Sequence, residues 1–371
     1  MNATNFQTYY NDLFKNTSSA DRPDNSDLRY DNMPPVENDR EWLPPTEGEM
    51  MKAVQEIKNT ASGMSGLKIS VWKAITSDAV LRRILLNVMC ECWKNEVVPA
   101  DWTDFYMTIL EKKGDLSFPK NYRGISIAES VSKIYTTILK FRLSALYETL
   151  APEYANGFRK GRGRADSITS VLSTLRARKS YGKDSFLLLF DVVKCFDRIK
   201  RQHIWASMRK MGVSEKMIRV IQSTLQTTTA TMHVEGLQKQ VDIIEGTGQG
   251  TTLGPILCNF FFLPMLKKWT EMWRDKATTF ESSYDPETQK QNSCIHSFAD
   301  DFAIILKTRE DAEEVATLLY DFLQDFLIEI HVATPNEPKS KSIAMFFPAN
   351  REDYGTIQRQ KLKKLNRLIS F

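Results

Sequence analysis

An unbroken apolar run, Phe186-Leu187-Leu188-Leu189-Phe190, stops at a single carboxylate, Asp191. A strand with one wet face alternates polar and apolar residues, whereas a run without alternation must be covered on both faces. This chain therefore needs a sheet with layers packed on either side of it. A second stretch, Cys294 to Leu306, is apolar on both sides of Asp300-Asp301, the pattern of a hairpin carrying two acids at its tip. Helical signals surround these strands. Thr46 and Glu49 have capping-box spacing and lead into Met50, Val54 and Ile57 at helical period. Ala79 to Trp93 places Leu81, Ile84, Leu85, Val88 and Cys92 on one helical face, and Ser130 to Leu150 repeats at the same period. A helix of about 20 residues is expected after Asp191, with Gly212 as its C-cap. Met107 to Leu110 is β-prone and ends at the turn Lys112-Lys113-Gly114-Asp115, while 274–293 is polar and reads as a loop. The expected class is α+β, with helices packed about small antiparallel sheets.

Composition excludes several alternatives. Across 371 residues, 42% are hydrophobic and 11% aromatic, enough to build a core, which excludes global disorder; no internal repeat is present. The five cysteines, an odd number with no CxxC spacing, read as reduced thiols rather than a disulfide framework or a zinc finger. No basic segment leads into an apolar one at the N-terminus, and the longest apolar run, near Ile256 to Leu266, is interrupted by Asn259 and Pro264. Neither a signal peptide nor a membrane span is expected, which suits an intracellular protein. Residues 1–50 carry a net charge of −6 and the remainder +10, so a basic body follows an acidic leader and suits a polyanionic partner. The leader, 1–49, is rich in Asn, Asp, Ser and Pro and is expected to be mostly extended.

Asp191, Asp300 and Asp301 each stand where apolar neighbours argue against a charge. Burying unpaired carboxylates is costly, and a hard divalent cation resolves that cost. Two Mg²⁺ ions about 4 Å apart serve phosphoryl and nucleotidyl transfer by activating the attacking oxygen and stabilising the leaving one. Either feature alone is commonplace: an Asp-Asp pair is usually a turn tip, and an Asp after a strand is usually an N-cap. Their order carries the weight, because a Gly-rich turn, Gly246-x-Gly248-x-Gly250, lies between them. That turn is not a dinucleotide loop, since position 251 is Thr and no βαβ unit surrounds it.

Taken in order, the motifs resemble those of reverse transcriptases of the non-LTR, LINE-like retrotransposons, from about residue 50 to about 346. Val98-Pro99 with Trp102 resembles the V-P-x-x-W leader, Asn121-Tyr122-Arg123-Gly124-Ile125 resembles N-Y-R-P-I, and Gly157-Phe158-Arg159-Lys160-Gly161-Arg162 resembles G-F-R-P-G-R. Asp191 with Phe196-Asp197 is similar to D-x-x-x-x-F-D, and Gly248 to Pro255 is similar to QG-x-x-L-S-P. Phe298-Ala299-Asp300-Asp301 matches the acidic hairpin, and Lys341-Ser342 approximates a late Lys-Thr motif. Gly124 and Lys160 replace prolines, and Gly254 replaces a serine.

The resemblance implies a right-hand polymerase with helical fingers over 50–185 and a palm with a central antiparallel sheet over 186–350, including a return segment to the fingers. It implies that 351–371 begins a thumb or linker that the chain does not complete. It also implies RNA-directed DNA polymerisation on an RNA template, from a DNA primer, with dNTPs, in an enzyme acting in the nucleus after a cytoplasmic stage. Asp191, Asp300 and Asp301 would be the catalytic ligands of two Mg²⁺, with Mn²⁺ as a substitute. Phe196, Gln249 and Gly250 would contact the nucleotide, and Lys113 and Arg123 would grip its triphosphate. Arg159, Lys160, Arg162 and Arg164 form a basic loop suited to template phosphates. Two alternatives stay open: a group II intron maturase-like or other palm polymerase, and a catalytically decayed copy that binds RNA. Phe196 and the acidic hairpin argue against an RNA polymerase, and the intact acids argue against decay.

Overall fold

The computed structural model describes residues 3–15, 26, 29, 42–226, 228–234, 236–273, 295–331, 342–349 and 359–361. In chain order its helices are α1 (Ala3–Lys15), α2 (Glu47–Glu56), α3 (Ile69–Ser77), α4 (Ala79–Asn95), α5 (Ser130–Leu150), α6 (Arg164–Ser180), α7 (Cys195–Arg198), α8 (Arg201–Lys210), α9 (Glu215–Thr224), α10 (Gly254–Met272) and α11 (Arg309–Asp325). The strands are β1 (Phe105–Glu111), β2 (Tyr122–Ala128), β3 (Ser185–Asp191), β4 (Thr228–Val234), β5 (Leu237–Ile243), β6 (Ile295–Phe298), β7 (Asp301–Leu306), β8 (Ile343–Phe347) and β9 (Arg359–Lys361). The expected loop at 274–293, Cys294, and 351–371 apart from β9 lie outside the described residues. The chain divides into two compact units, one of residues 1–22, 34–147 and 196–260, the other of 23–33, 148–195 and 261–371.

The first unit holds a four-stranded sheet in the order β2-β1-β4-β5, with β1 antiparallel to β2 and parallel to β4. Alternate residues Phe105 and Met107 of β1, Ala230 and Met232 of β4, and Val241 and Ile243 of β5 form one apolar face. Helix α1 covers that face with Phe6, Tyr10 and Phe14. The leader expected to be extended therefore begins with a helix. Its apolar residues recur every four positions and supply the layer the sheet needs, an amphipathic signal masked by the polar residues between them. Hydrogen bonds at both ends fix it: Gln7 Nε2 donates to Gln240 O at 2.7 Å, and the Glu245 N–H donates to Phe14 O at 3.0 Å.

The helices of this unit follow the sequence closely, with one shift. The capping box at Thr46 and Glu49 is formed, and Arg142 of α5 clamps Glu49 with two bonds of 2.7 Å while binding the Leu43 and Pro44 carbonyls. Helix α4 forms as expected, and Leu85 and Cys92 of the expected face are buried, but the inward face is rotated: Met89 and Trp93 join them in the interior, whereas Leu81, Ile84 and Val88 are exposed.

The second unit is built on an antiparallel sheet in the order β6-β7-β3-β8-β9, with β3 at its centre. Leu187 packs toward Val171 and Leu175 of α6, with Leu189 against the same cluster, while Leu188 and Phe190 are buried at 0% and 2% exposure. Trp269 of α10 stacks edge-on against Phe302 of β7 and Phe322 of α11. The unalternating apolar run is a doubly covered central strand, as its composition requires. The observed class is α+β, as expected.

After Asp191 the expected single long helix is broken into α7 and α8, although Gly212 does end the second in a left-handed conformation, φ 77°. The break has a visible cause. The carbonyls of Phe196 and Ile199 accept the N–H groups of Thr247 at 2.8 Å and Gly246 at 2.9 Å, so they are not spent on a continuous helical ladder.

Tyr10, 2% exposed, is the centre of the α1 contact. Tyr10→Ala is expected to cost about 3 kcal/mol in denaturant unfolding, the usual cost of deleting a buried aromatic. A loss below about 1 kcal/mol would show that α1 is not part of the core of the first unit.

Candidate active site

In the second unit, Asp191 ends β3 directly across from Asp301, which begins β7. Residues directly opposite in an antiparallel pair share a face, with Cβ atoms about 5 Å apart, and like charges there repel. The register thus presents two carboxylates together at one end of a buried sheet. Asp300 follows Ala299 on the hairpin tip, where Ala299 takes a left-handed φ of 59°. Backbone contacts fix Asp191 from both sides: its N–H donates to Ser342 Oγ at 3.1 Å, and its carbonyl accepts the His331 N–H at 2.8 Å.

The hairpin is held from outside by the Gly157-Phe158-Arg159 segment. Asn156 N–H donates to Ser297 O at 2.9 Å and Ser297 N–H donates to Tyr154 O at 3.0 Å, adding a short rung to the edge strand β6. A Cβ at Gly157 would lie 2.2 Å from Ala299 N, so only glycine lets this loop approach the acidic tip. A cavity of about 440 Å³ adjoins the pair, lined by Asp191, Asp301 and Arg164 together with Ile168, Val171, Phe298 and Ala303.

This donor set fits a hard divalent cation. Mg²⁺ takes one or two carboxylates and completes its octahedron with water and phosphate oxygens, and an opposed pair of aspartates supplies that number. Among the described residues no group of three or more His, Cys, Asp or Glu side chains could hold one ion. The register brings Asp191 and Asp301 together as a pair, with Asp300 next to Asp301 at the hairpin tip.

The basic loop separates into different roles. Arg159 is buried, at 8% exposure; its guanidinium binds both Glu148 oxygens and the carbonyls of Pro152, at 3.0 Å, and Ala155, at 2.8 Å. The phosphate contact expected of Arg159 is thus corrected: its donors tie the loop to the end of α5. Arg162 is paired with Glu153. Lys160 and Arg164 are exposed, and Arg164 lies over the Phe298 ring, 5.2 Å from its centroid.

The first unit assembles the remaining residues. Gln249 Nε2 donates to Asp197 Oδ2 at 3.3 Å, and Gln249 O accepts the Ser126 N–H of β2 at 2.7 Å. A Cβ at Gly250, φ 92°, would lie 2.9 Å from Ser126 O, so the loop lies flush on the strand that carries Arg123. The turn bearing Phe196, the Gly-rich loop and β2 therefore meet, although they are far apart in sequence. Lys113, on the turn after β1, and Arg123, across from Leu110, are both exposed. Sequence reasoning gave no role to Ser342, whose hydroxyl meets the Asp191 backbone; the approximate match at Lys341-Ser342 was its only trace, and Lys341 lies outside the described residues.

An antiparallel sheet presenting an acid pair at its central strand end, with helices on both faces, is the fold class of the right-hand polymerases. Residues 110–334 match the family described as "Reverse transcriptase (RNA-dependent DNA polymerase)", and the chain belongs to that family. It is similar to the Pol polyprotein of the type-1 retrotransposable element R2 of Popillia japonica, at 30% identity over 225 residues, covering 59% of this chain and 30% of that one. It is also similar to the polyprotein of type-2 element R2DM of Drosophila melanogaster, at 22% identity, covering 82% of this chain and 28% of the relative. The chain thus spans less than a third of the length of these relatives, and the non-LTR resemblance of its motifs is borne out. Among solved structures it aligns with a truncated telomerase of Candida tropicalis, with a TM-score of 0.47 and 15% identity, over 81% of this chain and 63% of that one. Among the described residues no helix is long and apolar enough to cross a membrane.

Because Arg159 serves the loop, Arg159→Ala is expected to lower stability by about 2 to 3 kcal/mol in denaturant unfolding, leaving Glu148 and two carbonyls without their donor.

Proposed function

We propose that this chain is the polymerising part of an RNA-directed DNA polymerase, which joins a dNTP to the 3′-OH of a DNA primer on an RNA template and acts in the nucleus. The observation that carries the reading is the register that sets Asp191 opposite Asp301 at the end of a doubly covered strand. Asp191 and Asp301, with Asp300 beside them, would hold two Mg²⁺, or Mn²⁺ in their place. Bound there, the ions would lower the pKa of the primer hydroxyl and neutralise the departing pyrophosphate.

The protein's own groups do the rest. Phe196 meets the sugar and leaves no room for a 2′-hydroxyl, which favours deoxynucleotides. Gln249 and the backbone at Gly250 orient the nucleotide, and Lys113 and Arg123 meet its triphosphate. Lys160 and Arg164, with Arg162 when it is released from Glu153, meet template phosphates. Residues 50–185 serve as fingers, and 186–350, which carry the sheet strands β3, β6, β7 and β8 and a return segment to the fingers, serve as palm.

Primer extension on an RNA template, with Mg²⁺ or Mn²⁺ and with dNTPs and NTPs supplied separately, tests the assignment. Wild-type protein should extend with dNTPs, and Asp191→Asn should lower extension by orders of magnitude while RNA binding survives. A wild-type chain that binds RNA and never extends a primer would support an RNA-binding copy instead. Phe196→Val should reduce the dNTP/NTP preference by about tenfold, about 1.4 kcal/mol. An unchanged preference with lower stability would make Phe196 a packing residue.

Template contact has its own readout. Replacing Lys160 and Arg164 together by alanine should reduce the slope of log affinity against log salt by about 2. An unchanged slope would exclude this loop from the template path.

A further inference from the structure

Arg201, the first residue of α8, gathers three backbone carbonyls from two separate segments of the first unit, the end of α9 and the stretch from the end of β5 into the Gly-rich loop. Its Nε donates to Gly246 O at 3.1 Å, one Nη donates to Ile243 O at 3.2 Å, and the other donates to Leu225 O at the end of α9. Its own N–H donates to Glu245 Oε2 at 2.8 Å. Each carbonyl is bound by a different nitrogen, Nε or one of the two Nη, a spread of donors that a guanidinium supplies and a single ammonium nitrogen does not. Burial lowers the Arg201 pKa to about 10, with Glu245 opposing the shift, so the group stays charged at neutral pH.

What Arg201 holds is the root of the Gly-rich loop. Gly246, whose carbonyl it binds, donates its N–H to Ile199 O, and Thr247 donates to Phe196 O. A Cβ at Gly246, φ 78°, would lie 2.6 Å from Phe196 O and 2.8 Å from Asp197 O, so the two backbones touch with no slack. Further along, the same loop delivers Gln249 to Asp197. A displacement at Gly246 would therefore move the backbone under Phe196 and the reach of Gln249 together.

We infer that Arg201 is a positioning residue for the incoming nucleotide, acting through Gly246 and Thr247 on Phe196 and Gln249. The inference rests on the polymerase reading for what Phe196 and Gln249 touch. Its function is distinct from stability alone: it sets the place of two nucleotide-facing residues without touching the nucleotide.

Arg201→Lys, which keeps the charge and loses the fork, is the test, and Arg142→Lys is its control because Arg142 is a comparable clamp in the same unit with no bond to this loop. Melting temperature, RNA affinity, and KM and kcat with dNTPs and NTPs would be measured for both, together with dNTP affinity for a complex on a primer lacking its 3′-OH. Arg201→Lys should raise KM for dNTP and weaken dNTP affinity about tenfold, and lower the dNTP/NTP preference several-fold, with RNA affinity within about twofold of wild type. Arg142→Lys should lose stability only. If Arg201→Lys loses stability while KM and sugar preference match the control, Arg201 is a folding clamp and the inference is overturned. Should Arg201→Lys fail to fold, Arg201→Gln, which keeps one planar amide donor group, is read by the same criteria. Wild-type protein that binds dNTP but does not extend would overturn the polymerase reading and leave the Arg201 comparison to be read from dNTP affinity; protein that does neither overturns both.

Discussion

The pairing of β3 with β7 is the constraint from which the second unit follows. Side chains alternate along a strand, so a slip of one residue would send Asp191 to the opposite face and carry Leu187 and Leu189 away from α6. The apolar packing therefore enforces the acid register: Leu187 and Leu189 face Val171 and Leu175, and Asp191 lies at the next step of the same face. The repulsion of the opposed carboxylates is overcome by the burial behind them. Stability in the strand is converted into placement at its end, on rigid backbone rather than on a loop.

Much of this was legible in the residues. A run without alternation requires two cover layers, and a break of two acids in an apolar stretch requires a tip, so β3 and the β6–β7 hairpin could be read from local pattern. What pattern could not supply was partnership over long sequence distances. The division of the expected helix after Asp191 depends on Gly246 and Thr247 taking its carbonyls, about 50 residues away. The burial of Arg159 depends on Glu148 and two carbonyls that no basic-loop signature encodes. For the same reason only part of the inward face of α4 is legible: Leu85 and Cys92 are buried, but Leu81, Ile84 and Val88 recur just as regularly and lie outside, and only the neighbouring layers decide between them.

The glycines of the site mark where backbone meets backbone. Gly157 against the hairpin tip, and Gly246 against the Phe196 turn, are positions where a methyl group would collide with main chain, which cannot rotate away. Each sits within or beside a motif whose other members bear the chemistry. Their contribution is to let a loop reach a rigid element closely enough to hold it, so the motifs combine reactive side chains with the contacts that keep them in place.

The departure at Gly124 gains a physical meaning from helix α1. A Cβ there would lie 2.8 Å from Met107 Sδ and 3.0 Å from Tyr10 Cε1, in a space filled by an aromatic ring delivered from the start of the chain. β2 is an edge strand, so its backbone position alone does not forbid proline; a larger residue there would have to displace the Met107 sulfur and press on the Tyr10 ring. The two positions are thus linked as a volume shared between distant stretches of chain. Across relatives, a bulkier residue in the strand should travel with a smaller one in the helix, so the helix and the N-Y-R segment should evolve as one inherited unit even though more than a hundred residues separate them.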